Sequence, residues 1–124
     1  MKRCMLCLFN EKEQYIKDSL FWVVDEPRDF TFPGLYFIRL KRHCEALSEL
    51  NTGESKEIGE LIQKYSLKSY EKSRAQRVIA MSLGLSEPHI HFWILPKTSE
   101  NKNDVLEIQK AMQTILKRYK NSLF

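Results

Sequence analysis

The sequence predicts an α+β domain built on an antiparallel sheet of about five strands with two main helices. Two observations carry this. Strand-like runs come in neighbouring pairs, and helical stripes fall between and after those pairs. That order favours antiparallel pairing over a parallel βαβ chain. With 124 residues, the chain suffices for one domain, 1–124, and is too short for two ordinary ones. No internal repeat, low-complexity tract or linker divides it.

The elements follow in order. "LFWVV" (20–24) is aromatic and β-branched and ends at "DEP", which marks a strand. "GLYFIRL" (34–40) reads as a second strand entered through Pro33-Gly34, with "RDFTF" between them as a short further piece. "NTGES" is a helix start: Asn51 with Glu54 three residues on has the form of a capping box. Ile58, Leu61, Ile62 and Tyr65 follow at spacings of three and four, so the helix extends to near Arg74. "RVIAMSL" (77–83) has the composition of a buried strand, "GLSEP" that of a tight loop, and "HIHFWIL" (89–95) is a strand stopped by Pro96. From Asn103, the residues Val105, Ile108, Met112, Ile115, Leu116 and Tyr119 form one stripe, the second main helix.

Composition is that of a soluble globular chain, with no apolar stretch near the ~20 residues of a membrane span. The start, "MKRCMLCLFNEKE", turns charged too soon for a secretory segment, so a cytoplasmic location is expected. The net charge of +4 suits an anionic ligand. Without a dense basic run, nucleic acid is an unlikely partner. Disulfides are rare in the cytoplasm, which leaves Cys4, Cys7 and Cys44 as thiols or metal ligands.

Two of the three histidines lie one residue apart in "SEPHIHFWILPK" (86–97). Period-two alternation points His89, His91 and Trp93 to one face and Ile90, Phe92 and Ile94 to the other. The apolar set should pack on the core, and the first set should face a cleft. Same-face neighbours on a strand stand about 6–7 Å apart, too far to share one metal easily, so the two imidazoles are expected to differ in function. Cys4, Cys7, His43 and one of the pair make two thiolates and two imidazoles, a closed tetrahedral zinc set. Such a site could contribute of order 10 kcal/mol when occupied. A redox pair at C-x-x-C is the weaker reading, because no thioredoxin-like βαβ pattern adjoins it. Cys44 is either a buried bystander or a substitute ligand.

"PHIHFWILPK" resembles the signature strand of the histidine-triad (HIT) superfamily. "PGLYFIRLKRH" with "LSEL" is similar to that family's strand, basic pair and histidine leading into a helix, and "CMLC" resembles the C-x-x-C of its zinc-containing members. Together these motifs span residues 4–97. The resemblance implies a HIT-like fold, with Cys4, Cys7, His43 and His89 holding a structural Zn2+. It implies that His91 is the nucleophile attacking phosphorus, with Ser86 near the phosphate. It also implies a nucleotide or dinucleoside polyphosphate ligand and a homodimer. A ribose-binding acid is expected near the first strands, where Asp25 and Asp29 are candidates. Trp93 departs from the pattern by standing where the third histidine usually is. Its indole N–H could donate to substrate, or the ring could be packing, but it cannot shuttle a proton.

Three functions follow as expectations. The first is a hydrolase or nucleotidyltransferase acting on a nucleoside phosphate derivative through a nucleotidyl-histidine. The second is a nucleotide-binding relative with little turnover because of Trp93. The third, a zinc-dependent adaptor for nucleic acid or protein, is disfavoured by the modest charge and the absence of a second ligand set.

Overall fold

The β-branched and aromatic runs of the sequence assemble, in a computed structural model, into a single antiparallel sheet. The structure describes residues 4–11, 16–26, 33–82 and 88–97, together with Gln113 and Lys117, each helical and exposed. The strands are β1 (Lys17–Asp18), β2 (Trp22–Asp25), β3 (Tyr36–Leu40), β4 (Arg77–Met81) and β5 (His91–Lys97), and the helices are α1 (Met5–Glu11) and α2 (Thr52–Ser73). The sheet order is β1-β2-β3-β5-β4, with every adjacent pair antiparallel.

Helix α2 begins as the sequence predicts. The Asn51 side chain accepts from the Glu54 amide while the Glu54 carboxylate accepts from the Asn51 amide, at 2.8 and 2.9 Å. This reciprocal pair satisfies two amides that the first turn leaves without helical partners. The helix ends at Arg74, which adopts a left-handed conformation (φ 52°). Its inner face, Ile58, Leu61 and Tyr65, packs on Trp22, Val24, Tyr36, Ile38, Leu40, Ile90 and Ile94. The expected parity of β5 therefore holds: Ile90 and Ile94 are in this core, with Phe92 packed against it.

Gly34 makes the close approach between the entry to β3 and α2. Its φ is +91°, and a Cβ there would stand 2.8 Å from the Ser69 carbonyl oxygen. Both the dihedral and the space favour glycine.

Five features depart from the sequence expectation, the first being that the strand expected to be buried at 77–83 is β4, Arg77–Met81, an edge strand whose residues are exposed or half-buried. Helix α1 was not anticipated. Leu6 and Phe9, on one side of it, pack with Leu35, Phe37, Trp93 and Leu95 in a second cluster on the opposite face of the sheet. Strand β1 is a two-residue addition at the edge. The strand predicted from residue 20 starts at Trp22, because Leu20 is exposed. Pro96 does not stop β5, which runs to Lys97. The last β3 partner of β5 is Ile94 and Pro96 pairs with Val78 of β4, so the proline lies past the end of the β3 ladder, where a residue without an amide hydrogen is tolerated. The predicted piece at 28–32 and the C-terminal stripe lie outside the described residues, apart from Gln113 and Lys117. Among the described residues, no helix is long and apolar enough to cross a membrane.

Candidate metal centre and histidine site

Three short segments bring the cysteines and histidines together. Cys4 immediately precedes α1 and Cys7 lies within it, His43 follows β3, and His89 precedes β5. The backbone bonds from Leu40 N to Ile90 O and from Ile90 N to Cys44 O, at 3.1 and 2.8 Å, hold the last two segments side by side. As a result one ligand atom from each of Cys4, Cys7, His43 and His89 lies within 4.8 Å of the other three. His89 Nδ1 is 3.4 Å from both Cys4 Sγ and Cys7 Sγ, and His43 Nδ1 is 3.5 Å from Cys7 Sγ. Bond lengths of about 2.3 Å to sulfur and about 2.05 Å to nitrogen in a tetrahedral site imply S···N edges of about 3.6 Å. The four residues therefore fit a metal ion of that kind in both donor chemistry and spacing.

The surroundings prepare His89 for this role. Its Nε2–H donates to the Leu40 carbonyl at 2.6 Å, which leaves the Nδ1 lone pair facing the two thiols. Burial pushes its pKa down to about 4, so the ring is neutral and able to ligate. Cys44 is buried and its thiol lies 3.4 Å from the Ala46 carbonyl. It is not one of the four clustered residues.

His91 is outside the cluster. Its Nδ1–H donates to the His89 carbonyl at 2.7 Å, which fixes the tautomer and leaves Nε2 as the acceptor nitrogen. Burial lowers its pKa from the ordinary histidine value, with the Arg39 charge acting in the same direction. The imidazole meets the Phe37 ring edge-on at 5.4 Å.

The expectation that the His91 row faces an open cleft needs correction, because α1 covers that face. His91 is 3% exposed and Trp93 1%. Trp93 lies flat on Phe37, ring centroids 4.1 Å apart and planes 1° apart, which makes it a packing residue in this structure. Asp25, a candidate for ribose binding, is buried and ion-paired with Arg39. Ser86 and Asp29 lie outside the described residues. Lys41 pairs with Asp18 and Arg42 with the Glu54 carboxylate.

Sequence reasoning missed Arg39 and Asn10. Arg39 Nε donates to Asn10 Oδ1 at 2.8 Å, and Asn10 Nδ2 donates to the Leu40 carbonyl at 2.8 Å. The available signal was one arginine at an inward position of the apolar run "YFIRL". A cleft of about 390 Å³ opens beside α1, lined by Cys7, Asn10, Glu11, Asp18, Val23 and Lys41. His91 is not among its walls.

Solved structures share this arrangement of strands and helices. A HIT-family member from Bacillus subtilis matches with a TM-score of 0.65 at 14% identity, over 94% of this chain and 97% of that one. The chain has the histidine-triad fold. Other HIT structures agree. A histidine triad protein from Bradyrhizobium japonicum gives a TM-score of 0.61 at 15% identity, covering 90% of this chain and 92% of its own. A structure described as a hypothetical histidine triad nucleotide-binding protein from Sulfolobus tokodaii gives 0.58 at 16%, covering 96% and 91%. No family model matches the sequence, and neither does any curated protein.

Proposed function

We propose that this chain is a nucleotide-binding HIT protein that cleaves or transfers a nucleoside phosphate derivative through a nucleotidyl-His91 intermediate. The observation that supports it most is the 2.7 Å bond from His91 Nδ1–H to the His89 carbonyl. A nucleophilic imidazole needs this arrangement: one nitrogen tied to a fixed acceptor, the other carrying a lone pair. Nε2 attacks the α-phosphorus, the N–P bond forms, and the bond from phosphorus to the leaving group breaks. Water or a second acceptor then attacks the same phosphorus, releasing the nucleotide product and restoring His91. Ser86 is assigned to the phosphate.

Cys4, Cys7, His43 and His89 would hold Zn2+. With four protein ligands the ion supplies folding stability and no open coordination site. The nearby His89 carbonyl, fixed by this arrangement, then holds the His91 tautomer. Trp93 walls the site through its stack on Phe37 and gives the leaving group no proton, so substrates with good leaving groups are expected to react fastest. A single 1–124 domain, pairing as a homodimer in the cytoplasm, goes with this reading.

The second reading, a nucleotide binder without turnover, is favoured by the burial of His91 and Trp93. A single-turnover reaction with radiolabelled adenosine or guanosine phosphoramidate separates the two. Label on the parent and none on His91→Ala is expected. Tight nucleotide binding with no label on the parent would leave only the binding role.

A further inference from the structure

We propose that Arg39 is the anion anchor of the His91 site, donating to the phosphoryl oxygens of a nucleoside phosphate that displaces Asn10. This rests on the nucleotidyl-transfer reading and names a further residue that would touch the substrate.

Arg39 and His91 are direct partners across the β3–β5 ladder. Directly opposed residues share a face, with Cβ atoms about 4.5–5.5 Å apart. Both rest on the same phenyl ring: the Arg39 guanidinium carbon is 5.0 Å from the Phe37 centroid, and the His91 ring centroid is 5.4 Å from it. Arg39 is only 1% exposed. An arginine is rarely so buried without partners, and a well-packed aliphatic residue usually serves stability at least as well. Its place opposite the imidazole puts a paired guanidinium beside the proposed nucleophile.

The partners of Arg39 suit an exchangeable site. Asp25 accepts from Nη1, while Nε donates to a neutral amide oxygen of Asn10. A phosphoryl oxygen is charged and forms a stronger bond to guanidinium than an amide oxygen does. Asn10 is also a wall of the 390 Å³ cleft, whose volume falls within the range of small-molecule sites. Val23, another wall, pairs with Arg39, and Arg39 pairs with His91. One row across the sheet thus leads from the cleft to the nucleophile, and Asn10 both lines the cleft and accepts from the guanidinium. On the proposal, the nucleoside phosphate takes the place of the Asn10 amide oxygen at Arg39 Nε.

The chemistry requires such a donor. As Nε2 attacks, negative charge grows on the non-bridging oxygens and must be met by fixed positive groups. Position 93, where HIT proteins usually carry a third histidine, is filled by an indole stacked on Phe37. Arg39 supplies a permanent cation with a geometry matched to phosphate.

Binding of adenosine and guanosine monophosphate, and of the unphosphorylated nucleosides, to the metal-replete full chain tests this. The variants are Arg39→Lys and the charge-neutral double variant Asp25→Asn/Arg39→Gln, the latter chosen so that no buried charge is left alone. Melting curves establish folding. A charge-assisted contact corresponds to about a tenfold to hundredfold change in affinity. That loss is expected for the monophosphates in the double variant, with a smaller loss in Arg39→Lys and nucleoside affinity unchanged in both. If the double variant does not fold, the Arg39→Lys loss carries the test. Folded variants that bind monophosphate as tightly as the parent, or that lose nucleoside and monophosphate equally, overturn the proposal. If the parent labels at His91 and the variants label at the same rate, Arg39 fails alone. If the parent binds no nucleoside phosphate, the nucleotidyl reading fails with it.

Discussion

Replacing Trp93 by histidine would give the strand a third alternate histidine, yet the structure gives a reason to expect loss and no gain. Trp93 is 1% exposed and stacked on Phe37, with Leu6 and Phe9 of α1 in the same cluster. The imidazole is smaller by roughly 70 Å³, and unfilled core volume costs about 24 cal/mol per Å³, or about 1.7 kcal/mol here. Loss of the aromatic stack adds about 1 kcal/mol. Unfolding entropy near about 2.1 cal/mol/K per residue gives about 0.26 kcal/mol/K for 124 residues, so Trp93→His should melt about 10 °C below the parent. The new imidazole would be enclosed, so the rate of His91 labelling and release should not rise. Calorimetric melting and single-turnover labelling of the metal-replete protein measure both. A variant that melts within about 3 °C of the parent and turns over faster would refute the assignment of position 93 to packing.

Three further outcomes are expected. Gly34→Ala places a Cβ 2.8 Å from the Ser69 carbonyl at a φ of +91°, and should cost about 2 kcal/mol in urea unfolding; a neutral result would contradict the close approach. The Glu54 carboxyl is held below its ordinary value of 4.5 first by its hydrogen bond from Arg42. Its contribution is therefore complete above pH 4.5 and lost as pH falls through the lowered folded value. Denaturant midpoints from pH 6 to about pH 3 should fall less steeply in Arg42→Gln, and an identical acid limb would remove the claim. In the metal-loaded protein a thiol reagent should modify Cys4 and Cys7 slowly; a zinc chelator should make both react quickly while buried Cys44 stays slow, and equal rates with and without chelator would speak against a thiolate-bound ion.

What could be read from the sequence was the part governed by periodicity and ligand chemistry. The two faces of β5 follow from alternation alone, and the Asn51–Glu54 start of α2 from a pattern of two side chains. Cys4, Cys7 and His43 could be grouped with one of the His89/His91 pair because two thiols and two imidazoles have few other reasons to accompany one another in so small a chain, and the HIT resemblance chose His89. Helix α1 was illegible for a physical reason. Seven residues are too few to show a period or to be stable alone, and its hold on the sheet comes from contacts distant in sequence, such as Asn10 with Arg39. Missing α1 also misplaced the environment of His91 and Trp93, since an amphipathic row reads as cleft-facing until something covers it. Arg39 passed unnoticed because alternation marks its face as inward without saying that Asp25 would be diagonal to it on β2.

On the proposed reading, His89 holds the metal and His91, two residues on, carries the phosphoryl chemistry. Metal content by mass spectrometry of purified parent, His89→Ala and His91→Ala measures this directly. One zinc per chain in the parent and in His91→Ala, with zinc lost from His89→Ala, is the expected pattern. Zinc lost from His91→Ala, or retained in full by His89→Ala, would contradict it.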